Sequence, residues 1–265
     1  MGLHADSNKT SVGTPLIQIF RTWGERVLAL AFPRTCVVAG TPLEAGDYEN
    51  ISRAALEEVK FIGNDACPFC GAPYEIAEKN CRYCRDRSIS DFGGVRVRCA
   101  VLAGTEMSAL IYAFKYRFVR SVARDMVRLA GTSAGYYDFL ENAILIPVPL
   151  WKKRFAWRGF NQSELYARAL AERVAGTRVE DLLVRIRDTG TQTFLNDEQR
   201  QKNIEDAFAL AAGTAIDPRA RYVVIDDVLT TGATLGACVK TLYENGAQNI
   251  AVATFARAVK TGKSF

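Results

Sequence analysis

The sequence predicts an α/β fold, a mainly parallel sheet flanked by helices, preceded by a small N-terminal module organised by cysteines. Three observations predict it. From about Gly94 onward, short apolar runs alternate with amphipathic segments. One of those runs, Tyr222 to Ile225, leads into two acids, a Thr/Gly-rich loop and a helix start. Upstream, two Cys-x2-Cys pairs sit in a segment too poor in large aliphatic residues to build a core without a staple.

The chain has 265 residues, enough for one large domain or one domain plus a small module. Its composition, 49% apolar and 24% charged, is that of an ordinary globular protein. No apolar run approaches the roughly 18 residues that span a bilayer. The start, Met1 to Gly13, lacks a basic-then-apolar leader pattern, so a cytoplasmic protein is expected. A net charge of +5 suits a phosphate-rich small substrate as well as nucleic acid and decides neither. The single histidine, His4, argues against a Ser-His-Asp or Cys-His hydrolase and leaves sulfur or carboxylate for any metal site.

In chain order, residues 1–14 form a polar tail expected to be disordered. Leu16, Ile19, Phe20, Trp23, Val27, Leu30 and Ala31 recur at three- and four-residue spacings, which predicts a core-packing helix over 15–34 stopped by Pro33. Residues 35–90 are loop-rich, with a short helix expected at Ser52 to Phe61; helix and module together make a unit over 15–90. The α/β domain takes 91–265. Its strand candidates are Val95 to Leu102, Ala143 to Val148, Leu182 to Ile186, Tyr222 to Ile225 and Asn249 to Phe255. Its helices are expected at Glu106 to Phe114, Ser121 to Leu129, Ser163 to Val174 and Thr234 to Glu244, with Asn161 and Glu164 as a cap and Gly176 and Gly246 as stops.

Cys67-Pro68-Phe69-Cys70 and Cys81-Arg82-Tyr83-Cys84 give the spacing C-x2-C-x10-C-x2-C. Each pair can form a knuckle presenting two thiolates, and four thiolates complete a tetrahedral zinc site, closed and structural rather than catalytic. An iron–sulfur cluster is the lesser rival. Cys99 and Cys238, inside strand and helix patterns, read as core residues, and Cys36 as inert.

The stretch Tyr222-Val223-Val224-Ile225-Asp226-Asp227-Val228-Leu229-Thr230-Thr231-Gly232-Ala233-Thr234-Leu235 carries the sharpest chemistry. The apolar run reads as a buried parallel strand whose two carboxylates appear where it emerges at the C-terminal edge of the sheet, the edge at which open α/β sheets bind ligands. The loop and first helical turn offer unpaired N–H groups beside the positive end of the helix dipole. Gly232 permits close backbone approach, and Thr230, Thr231 and Thr234 add hydroxyls. Asp226 and Asp227 can accept from a vicinal diol or reach Mg²⁺ through water. A phosphate cup beside diol acceptors describes a ribose 5-phosphate. The lysine of a Walker-type loop is absent.

This segment resembles the signature for phosphoribosyl pyrophosphate (PRPP) in type I phosphoribosyltransferases. The resemblance implies a type I phosphoribosyltransferase-like fold, ribose contacts from Asp226 and Asp227 as the catalytic acids, and a 5-phosphate held by Thr230, Thr231, Gly232, Ala233 and Thr234. Purine-salvage members carry an aspartate where this chain has Thr230, which argues against purine salvage. A second strand ends in Ile146-Pro147-Val148-Pro149-Leu150 and runs into Trp151-Lys152-Lys153-Arg154 and Arg158-Gly159-Phe160-Asn161-Gln162-Ser163. Read as a basic loop before a helix, it supplies cations that would stabilise a departing pyrophosphate.

With that stretch, the chain resembles the ComF family, linked to bacterial natural competence. Further matches are Ala113-Phe114-Lys115-Tyr116-Arg117, the spread Arg185, Arg187, Thr189, Gln192, Leu195, Arg200, Asn203, Ala207, Phe208, and the ending Phe255-Ala256-Arg257. Phe118 stands where the family usually has glycine, and Ala39 breaks the additional upstream cysteine pair that members often have. The resemblance implies a protein that binds PRPP with Mg²⁺ and transfers or handles a phosphoribosyl group, with Lys115, Lys153, Arg154 and Arg158 as cationic ligands and zinc as a structural metal. Thr189 to Asn203 reads either as a flap over PRPP or as a plain connection. The alternative function is non-catalytic, single-stranded DNA binding or PRPP sensing. It is favoured by the alternating cations and rings of Lys115 to Arg120 and Trp151 to Arg158. The acceptor substrate is not legible, and an oligomer is admitted but not specified.

Overall fold

The computed structural model describes residues 34–73, Cys81, Cys84, 94–188 and 206–258. The tail 1–14, all but the last residue of the helix expected over 15–34, and the segment Thr189 to Asn203 lie outside the described residues.

The expected parallel α/β sheet is present. Strands β1 (Arg96–Leu102), β2 (Ile144–Pro147), β3 (Arg178–Val179), β6 (Arg221–Leu229) and β7 (Asn249–Arg257) form one sheet in the order β1-β7-β6-β2-β3, every adjacent pair parallel. Central β6 is buried on both faces over Tyr222, Val223, Val224 and Ile225, which is why its sequence is continuously apolar. Alternation along it then sorts two cores. Val223 and Ile225 pack with Leu110 and Phe114 of helix α1 (Thr105–Tyr116), Met126 and Leu129 of α2 (Val122–Ala130), and Tyr166 and Leu170. Tyr222 and Val224 pack with Leu235, Cys238 and Leu242, together with Cys67, Cys70 and Cys99.

The remaining helices are α3 (Lys152–Arg158), α4 (Gln162–Ala171) and α5 (Ala233–Glu244). Asn161 caps α4, its side-chain oxygen accepting from the Ser163 N–H at 3.1 Å. Glu164 does not close the reciprocal half of the expected cap; it takes Arg168 instead.

Four expectations need correction. Residues 152–158 are not a loop but α3: the run Lys-Lys-Arg-Phe-Ala-Trp-Arg contains no breaker, and Gly159 at φ 74° ends it. Leu182 to Ile186 does not join the sheet; β4 (Leu183–Arg185) pairs antiparallel with β5 (Phe208–Leu210), and the fifth sheet strand is the two-residue β3, too short to show a period. Strand β6 runs past Ile225 to Leu229, held by β7 through Val228 opposite Ala256 and Leu229 opposite Arg257, so both acids lie inside the ladder. The helix expected at Ser52 to Phe61 shrinks to one turn, Ala54–Leu56.

The segment before β1 covers its outer edge. Ile62 N–H donates to Ala100 O at 2.8 Å, Leu102 N–H to Lys60 O at 2.9 Å and Val97 N–H to Pro68 O at 2.6 Å, so the edge of the sheet is not left open for another chain. Buried Asp125 of α2 ties the preceding loop down, accepting from the Glu49 and Asn50 amides at 2.9 and 2.7 Å and from Asn50 Nδ2 at 2.9 Å.

Candidate functional site

The turn from β6 into α5 and the loop after β2 face each other across an open cleft of about 250 Å³ at the C-terminal end of the sheet. Lys115, Arg154, Gln162, Arg185, Asp226, Asp227 and every residue from Thr230 to Leu235 line it, opposite Val148, Pro149 and Leu150. Among the expected ligands, the structure therefore brings together Lys115, Arg154, Asp226, Asp227, Thr230, Thr231, Gly232, Ala233 and Thr234. Lys153 and Arg158 do not line the cleft. Lys153 is exposed and lies 3.8 Å from Asp188. Arg158 is buried, donates to Gln162 Oε1 and sits 5.9 Å over the Tyr116 ring.

Gly232 adopts φ 84°, the left-handed turn that lets α5 start directly behind the strand. Among the described residues, the amides of Thr230, Thr231 and Gly232 donate to no protein acceptor; the Ala233 amide reaches Thr231 Oγ1 only at 3.5 Å. Unpaired donors at the positive end of a 12-residue helix could receive an anion.

The two acids are set differently. Asp226 Oδ1 accepts from Ser163 Oγ at 2.7 Å and from the Asp227 amide at 2.9 Å. Burial, then the neighbouring Asp227 charge, pushes its pKa up to about 7, well above the ordinary 3.8. Asp227 is 1% exposed, and its Oδ2 lies 2.8 Å from Lys115 Nζ. That oxygen accepts no other hydrogen bond among the described residues. Burial works against the Lys115 charge, but Asp227 and Asp226 outweigh it and hold its pKa above the usual lysine value. Three cations and two acids around an amide cup can accept a ligand bearing phosphate groups and a diol.

Gln162, Ser163 and Arg185 had no place in the site read from the sequence. Gln162 and Ser163 read only as a helix start, and Arg185 only as one of a spread of family matches; β4 brings the last into the cleft.

On the other side of β7, the Sγ atoms of Cys67, Cys70, Cys81 and Cys84 all lie within 4.8 Å of one another, with Cys67–Cys84 and Cys70–Cys81 at 3.5 Å. Thiolates at about 2.3 Å from a tetrahedral zinc lie about 3.8 Å apart, so these four side chains could hold one zinc ion with little movement. Burial pushes the Cys84 thiol up to about 12. Gly71, at φ 66°, completes the first knuckle, and a Cβ there would meet Cys99 Sγ at 2.5 Å. Cys99 and Cys238 are buried, as expected of core residues, and Cys36, read as inert, is buried too.

The fold and this cleft define a parallel α/β protein with unpaired amides at a strand-to-helix turn and a four-cysteine cluster packed behind it. No protein-family model matches the chain. It is 29% identical over 196 residues to competence protein F of Haemophilus influenzae, covering 72% of this chain and 84% of that protein. It is 28% identical over 242 residues to the DNA utilization protein YhgH of Escherichia coli O157:H7, covering 84% and 96% of the two chains. It is 26% identical over 217 residues to competence protein ComFC of Bacillus subtilis, covering 75% and 80%. These relatives bear out the resemblance to the ComF family read from the motifs. Among solved structures, a hypoxanthine phosphoribosyltransferase from Staphylococcus aureus matches at 14% identity and a TM-score of 0.31, covering 52% of this chain and 73% of that one. No described helix is long and apolar enough to cross a membrane.

Proposed function

We propose that this chain is a ComF-type, phosphoribosyltransferase-like protein of the cytoplasm that binds PRPP with Mg²⁺ and transfers or handles its phosphoribosyl group. One observation carries the reading: the unpaired amides of Thr230 to Gly232 open into the same cleft as Asp226 and Asp227. In this reading the cup takes the 5-phosphate, and the acids take the ribose hydroxyls or, through water, Mg²⁺, whose chemistry is to neutralise the departing pyrophosphate. Lys115, Arg154 and Arg185 supply positive charge, and the cleft positions the sugar rather than attacking it covalently. Zinc is the structural metal of the four cysteines.

Calorimetric titration with PRPP and Mg²⁺ tests the reading. Binding that weakens at least tenfold in Asp227→Ala supports it; no binding to the wild type, or binding untouched by the substitution, overturns it. Screening acceptor compounds for pyrophosphate release then separates turnover from binding alone.

A second reading, in which the same surface handles single-stranded DNA, is favoured by a specific arrangement. The two basic-aromatic stretches meet in space: Trp157 lies 5.0 Å from Phe118 and 6.4 Å from Tyr116, and Tyr116 lies 5.0 Å from Tyr112. All four rings are exposed, between 40% and 59%, and the Arg158 guanidinium lies 5.9 Å over the Tyr116 ring. Exposed rings among cations suit base stacking with backbone contact. The names of the relatives, competence and DNA utilization, point the same way. Titration with oligonucleotides should show affinity falling steeply as salt rises.

A further inference from the structure

We infer that Arg257 couples the four-cysteine cluster to the phosphate cup, so that the state of the cluster sets how well the cup is held. The cup half of this statement rests on the reading of Thr230 to Thr234 given above; the mechanical link does not.

Arg257 ends β7 and is 1% exposed, yet no carboxylate pairs with it among the described residues. Its guanidinium is spent on carbonyl oxygens. Nε donates to Cys70 O at 2.9 Å, and Nη1 donates to Leu229 O at 3.1 Å, to Thr230 O at 3.0 Å and to Ala258 O. One planar fork thus grips the knuckle of the cysteine cluster on one side and the start of the loop on the other. Peptide planarity gives that grip a direction. The oxygen of Leu229 shares a rigid plane with the Thr230 amide, and the oxygen of Thr230 shares one with the Thr231 amide. Holding the two oxygens therefore orients two of the cup donors that the protein leaves unpaired. A lysine could not reproduce the fork, because its ammonium is a single point of donation.

A second line of contact runs the same way. Gly71 of the knuckle lies against Cys99, and Cys99 Sγ accepts from Thr254 Oγ1 at 3.2 Å, directly opposite Asp226 in the β6–β7 register. With a metal on the four thiolates, the Cys70 peptide is fixed and so is the anchor for Nε. With the metal gone, the knuckle is free to relax, Arg257 loses one of its fixed points, and the loop carbonyls loosen with it. Arg257 is a positioning residue, acting through the loop and touching no ligand itself.

The test is hydrogen–deuterium exchange over residues 229–236 in the full chain, read at the Gly236 amide that donates to Gly232 O at 2.7 Å, zinc-loaded and after chelation, with metal release followed by a chromogenic chelator. Removing zinc should speed exchange of this segment about tenfold, the scale of a typical coupling between sites, while α4 stays protected. In Arg257→Met the loop should exchange at the metal-free rate even when zinc is bound, and should ignore chelation. An unchanged loop in the metal-free wild type, or a wild-type response in Arg257→Met, overturns the inference. If Arg257→Met does not fold, Arg257→Lys takes its place with the same expectation. Calorimetry with PRPP separates the two readings: a responsive loop that binds no PRPP leaves the coupling standing and removes the phosphate reading, and PRPP binding over an unresponsive loop does the reverse.

Discussion

Lys115 Nζ of α1 lies 2.8 Å from Asp227 Oδ2 of β6, and it is the ion pair that makes a second buried carboxylate tolerable beside Asp226. Two acids in adjacent positions of a buried strand repel, and without a cation one of them must hold a proton. Removing one partner of a buried pair leaves the other uncompensated, at about 3–5 kcal/mol when burial is complete. Lys115 keeps 23% of its side-chain exposure, so the smaller figure of about 2 kcal/mol is expected for Lys115→Met at pH 8. Urea unfolding of the wild type and the variant at pH 8 checks it.

Asp226 gives a pH dependence of the opposite sign to an ordinary aspartate. Its folded pKa, about 7, lies above the ordinary 3.8, so the folded chain keeps a proton that the unfolded chain releases. The group therefore costs stability, increasingly from about pH 4 to about pH 7 and constantly above. Asp226→Asn retains an acceptor for Ser163 and removes the charge. It should match the wild type near pH 4 and exceed it in thermal stability at pH 8. PRPP affinity of the wild type should rise through pH 7 as the acid ionises, and that rise should be absent in Asp226→Asn.

The fold was legible where side chains alternate or cluster over several residues. Tyr222 to Ile225 announces a strand buried on both faces, and Asn161 announces a helix start, because burial and capping act locally. Length and partnership were not legible. Strand β6 continues through two acids because β7 holds its backbone, a fact written in Asn249 to Arg257 and not in the acids themselves. The site followed the same division. Thr230 to Thr234 are contiguous and could be read together, whereas Arg185 reaches the cleft through a strand that pairs with residues 208–210, across a separation that no local pattern spans. Lys153 has the right chemistry for a cationic ligand but sits on the exposed side of a helix that read as a loop.

Gly71 is restricted twice, by φ 66° and by the 2.5 Å that would separate a Cβ from Cys99 Sγ. The left-handed backbone costs a non-glycine residue roughly 1–2 kcal/mol, and overpacking adds about 1–3 kcal/mol. Gly71→Ala should lower stability by about 3 kcal/mol on these two terms. Adding Cys99→Ala to that variant should recover the steric part and leave the backbone part. Thermal melts of the zinc-loaded single and double variants measure the difference.

Phe118 holds φ 58° on the surface, in the position where a glycine stands in the ComF pattern. The strain is offset by its edge-to-face contact with Trp157 at 5.0 Å and 73°. Phe118→Gly releases the first and loses the second, so stability should change by less than about 1 kcal/mol. Single-stranded DNA binding, if the exposed rings carry it, should weaken several-fold in the same variant. Unfolding curves and oligonucleotide titrations separate the two effects.

The central claim is that the backbone amides of Thr230 to Thr234 receive a sugar phosphate. Amide chemical shifts of those five residues, followed by NMR as ribose 5-phosphate and then PRPP with Mg²⁺ are added, test it at the atoms concerned. The Thr230, Thr231 and Gly232 amides should move downfield with either ligand, and Asp226 and Asp227 should respond as well. Ligands that leave these resonances in place, or that bind while shifting only residues elsewhere, would contradict it.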